Sequence, residues 1–130
     1  MILDASAVLA IVFGEPGFEV FARMIAEAAW CRISAATLVE VTMVAESRGG
    51  DQAIRLSEGI FRGAKVSVQP VTEEQAYVAC RAYSSFGKGR HPANLNFGDC
   101  FSYALAKVTG EPLLFKGDDF SKTDVQAAIL

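Results

Sequence analysis

Short apolar segments alternating with helical ones leave this chain few possible folds. Residues 2–3, 30–33, 66–68 and 112–115 read as strands, with a short last one at 125–127. Between them the apolar spacing predicts helices. The first covers 5–13 and is stopped by Gly14-Glu15-Pro16-Gly17, and the second covers 18–29. Ser34 caps a third that runs through Arg48 to Gly49-Gly50, and Asp51 caps a fourth reaching about Arg62. Two more run from Thr72 to about Phe86 and from Phe97 to Thr109-Gly110, separated by the longest loop, 87–96. Strands joined by helices rather than by tight turns pair in parallel and are covered on both faces. The expected fold class is α/β, a three-layer α/β/α arrangement around a central parallel sheet of about four to five strands.

A chain of 130 residues can bury a proper core, and one domain, 1–130, is expected. Hydrophobic residues make up 52% of it, which predicts that some apolar surface is covered by a partner. No apolar run reaches the roughly 18 residues of a membrane span. Asp4 comes before the first arginine, Arg23, so no basic leader is read, and a cytoplasmic protein is expected. The net charge of −3 provides no global field for nucleic acid, which would have to be met by local basic patches. Cys31, Cys80 and Cys100 form no Cys-x-x-Cys motif and read as small buried thiols in a reducing compartment.

The acids carry the chemistry. Asp4 directly follows the first strand, with Ser6 two places on, and Asp118 and Asp119 follow the strand at 112–115. Both positions fall at the carboxyl ends of parallel strands, where α/β folds place their sites. Glu40 lies in a helix whose neighbouring positions, Ala36, Thr37, Met43, Val44 and Ser47, make a poor solvated face. Its carboxylate therefore needs a cation or a buried partner. Asp99 opens a helix with an expected core stripe of Phe101, Ala104, Leu105 and Val108, so that it faces a cleft with Ser102, Tyr103 and Ala106. Each acid also has a purely structural reading: Asp4 as an N-cap, Asp99 as a helix-start charge, Asp118 and Asp119 as turn residues. Their coincidence is what points to a site. Carboxylates gathered without His or Cys select a hard cation, Mg²⁺ with Mn²⁺ as a substitute. Such an ion suits hydrolysis of a phosphodiester.

The segments Met1-Ile2-Leu3-Asp4-Ala5-Ser6-Ala7, Ser34-x-x-Thr37-x-x-Glu40, Asn96-Phe97-Gly98-Asp99-Cys100 and Leu113-Leu114-Phe115-Lys116-Gly117-Asp118-Asp119-Phe120 together resemble PIN domains, in particular VapC-type toxins of type II toxin–antitoxin pairs. The resemblance spans nearly the whole chain. It implies a PIN-like fold and an Mg²⁺-dependent endoribonuclease that hydrolyses RNA with metal-activated water and is inhibited by a cognate antitoxin. It carries the metal acids onto Asp4, Glu40 and Asp99. It makes Ser6 and Thr37, with Asn96, hydroxyl and amide groups that orient carboxylates or metal waters. Many relatives have Leu-Leu-Thr-x-Asp near the fourth acid, and that Asp position is Gly117 here. Asp119, which precedes Phe120, is then preferred as the fourth acid, with Asp118 beside it and Asp124 a weaker choice that instead fixes the final turn.

Lys88 and Arg90, in the loop before Asp99, are the expected phosphate contacts, against the alternative of a flexible solvated loop. Arg48, Arg55 and Arg62 read as a solvated face, and His91 is not expected to act as a base. The resemblance also suggests a homodimer and an antitoxin segment seated on the early helices near Phe13, Phe18 and Phe21. Two other readings were weighed. A haloacid-dehalogenase-type phosphatase needs an acid where Ser6 stands. A PIN-like domain that binds RNA or a partner without cutting leaves the gathered acids unexplained.

Overall fold

A computed structural model describes residues 1–129. The strands are β1 (Ile2–Leu3), β2 (Arg32–Ser34), β3 (Ser67–Gln69) and β4 (Leu113–Leu114). The helices are α1 (Ala5–Val12), α2 (Phe18–Glu27), α3 (Ala35–Gly63), α4 (Glu73–Phe86) and α5 (Phe97–Thr109), followed by a 3-10 turn at Phe120–Lys122. The sheet order is β3-β2-β1-β4 and every pairing is parallel. Ile2 pairs with Arg32 on one side and with Leu113 on the other, which places β1 in the middle. The expected fifth strand is reduced to a single parallel bridge between Leu113 and Ala127.

Alternation along two-residue strands divides the core. Leu3, Ile33 and Leu114 point to one face and pack with Val8, Ile25 and Val41 from α1, α2 and α3. Ile2 and Leu113 point to the other and pack with Ala79, Tyr103 and Leu105 from α4 and α5. Period-two geometry sends neighbouring side chains to opposite faces, so even strands this short tie three layers together.

Element ends shift by a residue or two from the sequence expectation. Trp30 is 60% exposed and outside β2, because its indole N–H donates to Glu111 Oε1 at 2.8 Å instead of joining the core. The two helices expected around Gly49-Gly50 are one element, α3, broken at Gly50, whose φ of 64° and ψ of −157° suit only glycine. The stripe expected on α5 is the largest correction. Ser102, Tyr103 and Ala106, expected to face a cleft, are buried, and Phe101 and Val108 are only half-buried. Two hydrogen bonds make this possible: Ser102 Oγ meets Thr37 Oγ1, and Tyr103 donates to Asp124.

Candidate active site

Asp4 is both a helix cap and a buried charge. It ends β1 at the carboxyl edge of the sheet and is 2% exposed. Its Oδ2 accepts from the Ser6 backbone N–H at 3.0 Å and from the Ser6 hydroxyl at 2.6 Å. Ser6 Oγ in turn accepts from the Lys116 backbone N–H at 3.0 Å, just past the end of β4. This relay holds one carboxylate oxygen and leaves the other, Oδ1, buried with no partner. An unpaired buried carboxylate oxygen is expensive, and its natural complement is a cation.

Glu40 and Asp99 join it from two helices. Burial pushes the Glu40 carboxyl up to about 7, and the charges of Asp4 and Asp99 push in the same direction. Burial likewise raises Asp99 to about 6; the Asn96 backbone N–H opposes this, and Asp4 and Asp119 add to it. Asn96 caps α5 reciprocally: Asp99 N–H donates to Asn96 Oδ1 at 2.9 Å, and Asn96 N–H donates to Asp99 Oδ2 at 3.0 Å. The other Asp99 oxygen is left for the site.

Gly98 explains how close Glu40 comes. A Cβ added there would lie 2.7 Å from the Glu40 Cδ and Oε1. The carboxylate thus occupies the space of the missing side chain, against the first turn of α5, where the helix dipole favours negative charge. Sequence reasoning gave Gly98 no role. The available signal was a glycine inside a helical first turn, which weakens the helix unless something must approach closely.

Thr37 is 1% exposed, and its hydroxyl lies 3.2 Å from that of Ser102 rather than on a carboxylate. It stands one helical turn before Glu40, and Ser102 one turn after Asp99. This contact therefore sets the spacing of α3 and α5 at the acids. Ser102, expected to share a cleft with Asp99, is instead turned to Thr37.

Of the acids after β4, Asp119 is exposed and acts on Asp99. Asp118 is also exposed, and its backbone carbonyl accepts from Ser121 within the turn. Asp124 lies apart, accepting from Tyr103 at 2.5 Å and Lys107 at 3.2 Å. Among the described residues, no three His, Cys, Asp or Glu side chains close into a ready-made metal cage. The acids are gathered, and the charges of their neighbours act on Glu40 and Asp99, but they are held apart.

The basic loop is fastened rather than loose. Lys88 N–H bonds Leu95 O, Leu95 N–H bonds Phe86 O, and the Arg90 and His91 amides both reach Gly87 O. His91 accepts from Ala93 N–H and sets its ring edge against Phe86, a structural role. Lys88 and Arg90 are exposed, as are Arg48, Arg55 and Arg62.

A parallel sheet with acids from β1, α3 and α5 at its carboxyl edge defines the class. The family model of the PIN domain matches residues 1–126. Ribonuclease VapC of Mycolicibacterium smegmatis is 46% identical over 127 residues, covering 98% of each chain. Two solved structures share the fold. The crystal structure of Mycobacterium tuberculosis VapC20, a Sarcin-Ricin loop cleaving toxin, aligns with a TM-score of 0.78 at 21% identity, over 98% of this chain and 97% of that one. A toxin–antitoxin complex from Klebsiella pneumoniae aligns with a TM-score of 0.69 at 15% identity, over 98% of this chain and 95% of that one. The chain belongs to the PIN-domain family and, within it, to the VapC ribonucleases.

Proposed function

We propose that this protein is the toxin of a toxin–antitoxin pair, an endoribonuclease dependent on Mg²⁺, with Mn²⁺ as a substitute. The observation that carries this reading is the set of mutually opposed carboxylates, Asp4, Glu40, Asp99 and Asp119, with Asp4 Oδ1 buried and unpaired. An all-oxygen donor set fits a hard cation. Asp4, Glu40 and Asp99 would hold the ion, with Asp119 at the open side. When bound, it supplies an activated water and offsets charge on the phosphate. The chain's own residues do the rest. Ser6 fixes Asp4 in one rotamer, Asn96 orients Asp99, and the Thr37–Ser102 contact holds α3 and α5 at a set spacing. Lys88 and Arg90 supply positive charge for RNA phosphates that the acids would otherwise repel. Ser6 is committed to Asp4 and cannot serve as the acid a dehalogenase-type phosphatase needs.

The antitoxin is supported by the fold shared with a toxin–antitoxin complex. A cavity of about 730 Å³ lined by Ile11, Ala22, Ile25, Trp30, Ile60 and Ala64 offers apolar room for a partner helix beside the half-buried Phe13, Phe18 and Phe21. Val39 and Met43, exposed on α3, support a homodimer. No helix among the described residues is long and apolar enough to cross a membrane.

The test is cleavage of total RNA by purified protein with Mg²⁺ or with chelator, followed by sequencing of the RNA ends. Asp4→Asn and Asp99→Asn should each lower cleavage on the order of 10²–10³-fold, the range for losing one charge-stabilising group, with an unchanged circular dichroism spectrum. Full activity of either folded variant, or undiminished cleavage in chelator, would overturn the assignment.

A further inference from the structure

The carboxylates account for cutting but not for how a nucleotide is seated beside them. Next to Asp99, between α4 and α5, lies an open cavity of about 610 Å³ lined by Tyr83, Lys88, Asn96, Phe97 and Phe101, with Cys80 and Cys100 also in its wall. We propose that this cavity receives an unpaired nucleobase of the RNA, the one flanking the phosphate that is cut. The proposal rests on the ribonuclease reading and deepens it.

Three observations favour a base over other occupants. First, the cavity adjoins the turn that carries Asp99: Asn96, Phe97 and Cys100, which flank it at the start of α5, all line the cavity. Second, aromatic surface is exposed. Phe97 is 79% exposed and meets Phe101 in a T-shaped contact, with centroids 4.9 Å apart, and Tyr83 is 41% exposed. Exposed rings are the surface on which unpaired bases stack. Third, the charged side chain in the cavity's lining is a cation. Lys88 lines it, and the Arg90 guanidinium lies 5.5 Å from the Tyr83 ring centroid. An apolar floor with a cationic rim complements a base with its phosphate attached. The fastened loop backbone keeps both residues there, so that only their side chains are ordered on binding. Asn96 has its Oδ1 engaged by Asp99 N–H, and its amide NH₂, unpaired among the described residues, can donate to an acceptor on the base edge.

Cys80 provides a direct readout. It is exposed in the cavity wall, whereas Cys31 and Cys100 are buried. Burial, Asp99 and Cys80 also push the Cys100 thiol up to about 11, so it reacts slowly. Cys80 alkylation by iodoacetamide, followed by mass spectrometry, should slow severalfold when ribonucleoside 5′-monophosphates are added with Mg²⁺, and not with inorganic phosphate. Phe97→Ala should remove this protection and raise KM for RNA about five- to a hundredfold, the range for one lost stacking contact, with kcat little changed. Phe97→Trp should keep both. If wild-type protein cuts RNA but mononucleotides leave Cys80 unprotected, or Phe97→Ala matches wild type, the base pocket is wrong and the nuclease reading stands. If Cys80 is unreactive in the free protein and Phe97→Ala turns a dimer into a monomer, a second copy covers this face and the proposal falls. If nothing is cut with Mg²⁺ and folded protein, the nuclease reading fails first.

Discussion

The two edges of the sheet hold acids in opposite circumstances. At the amino edge, Glu111 precedes β4, and its Oε1 takes the Trp30 indole at 2.8 Å and the Met1 amine at 3.0 Å, while Arg32 pairs with Oε2 at 3.2 Å. Burial alone would raise this carboxyl, but those donors outweigh it and hold it below the usual range. Asp124, bonded first by Tyr103 and then by Lys107, is lowered as well. At the carboxyl edge, Glu40 and Asp99 are raised, and an Asp4 oxygen is left bare. Carboxylates behave in two ways because cations of the chain pair with Glu111 and Asp124, and among the described residues none pairs with Asp4, Glu40 or Asp99. Where a fold leaves charge unbalanced, something outside the chain is expected to balance it.

The strongest way to break this comparison is a pair of isosteric swaps, Glu111→Gln and Glu40→Gln, melted in chelator at pH 8. Glu111→Gln should destabilise by about 1–3 kcal/mol, since it weakens bonds between charged groups. Glu40→Gln should instead raise Tm, because it removes a repelled charge. Shifts of the same sign would dissolve the distinction between the edges.

A pH series sharpens it next. Glu40 and Asp99 have folded pKa values above their unfolded ones. The native state therefore binds more protons between about 4 and 7, and stability falls as pH rises through that window. Metal-free protein should melt at a lower temperature at pH 8 than at pH 5.5 on this account. Added Mg²⁺ should recover the loss at pH 8 and do little at pH 5.5, where protons occupy the same oxygens. A metal-free Tm that climbs steadily from pH 5.5 to pH 8 would contradict the assigned repulsion.

The smallest expected effect concerns the Thr37–Ser102 contact beneath the acids. Ser102→Ala strands a buried hydroxyl and should cost about 1–3 kcal/mol. Thr37→Val combined with Ser102→Ala should recover most of that stability in chemical denaturation. The double variant should still bind Mg²⁺ more weakly, as measured by calorimetry, because nothing then sets the helix spacing. Unchanged metal affinity would reduce this contact to packing.

Much of this was legible from residues alone, and the reasons are local. The parallel layering followed from helical stretches between short apolar segments. Asp4 and Ser34, read as caps, both accept from the backbone amide two residues on, whereas Asp51, read the same way, lies inside α3. Asp4 reads as a cap or a site acid and Asp99 as a helix-start charge or a site acid; in the structure each carboxylate takes backbone amides on one oxygen and leaves the other without them. The α5 stripe differs from expectation because Ser102 and Tyr103 are buried against partners, Thr37 and Asp124, that come from other elements. Gly98 escaped notice because its importance lies in what occupies the space beside it.

By itself the amino-acid sequence determined the order and type of the elements, their caps, and the family, since periodicity and capping act within a few residues and survive any packing. Only the tertiary structure decided which carboxylates go without a counter-charge, which hydroxyls reach across helices, and how closely Glu40 approaches Gly98. Charge balance and close approach are set by residues far apart in the chain, and no local pattern encodes them.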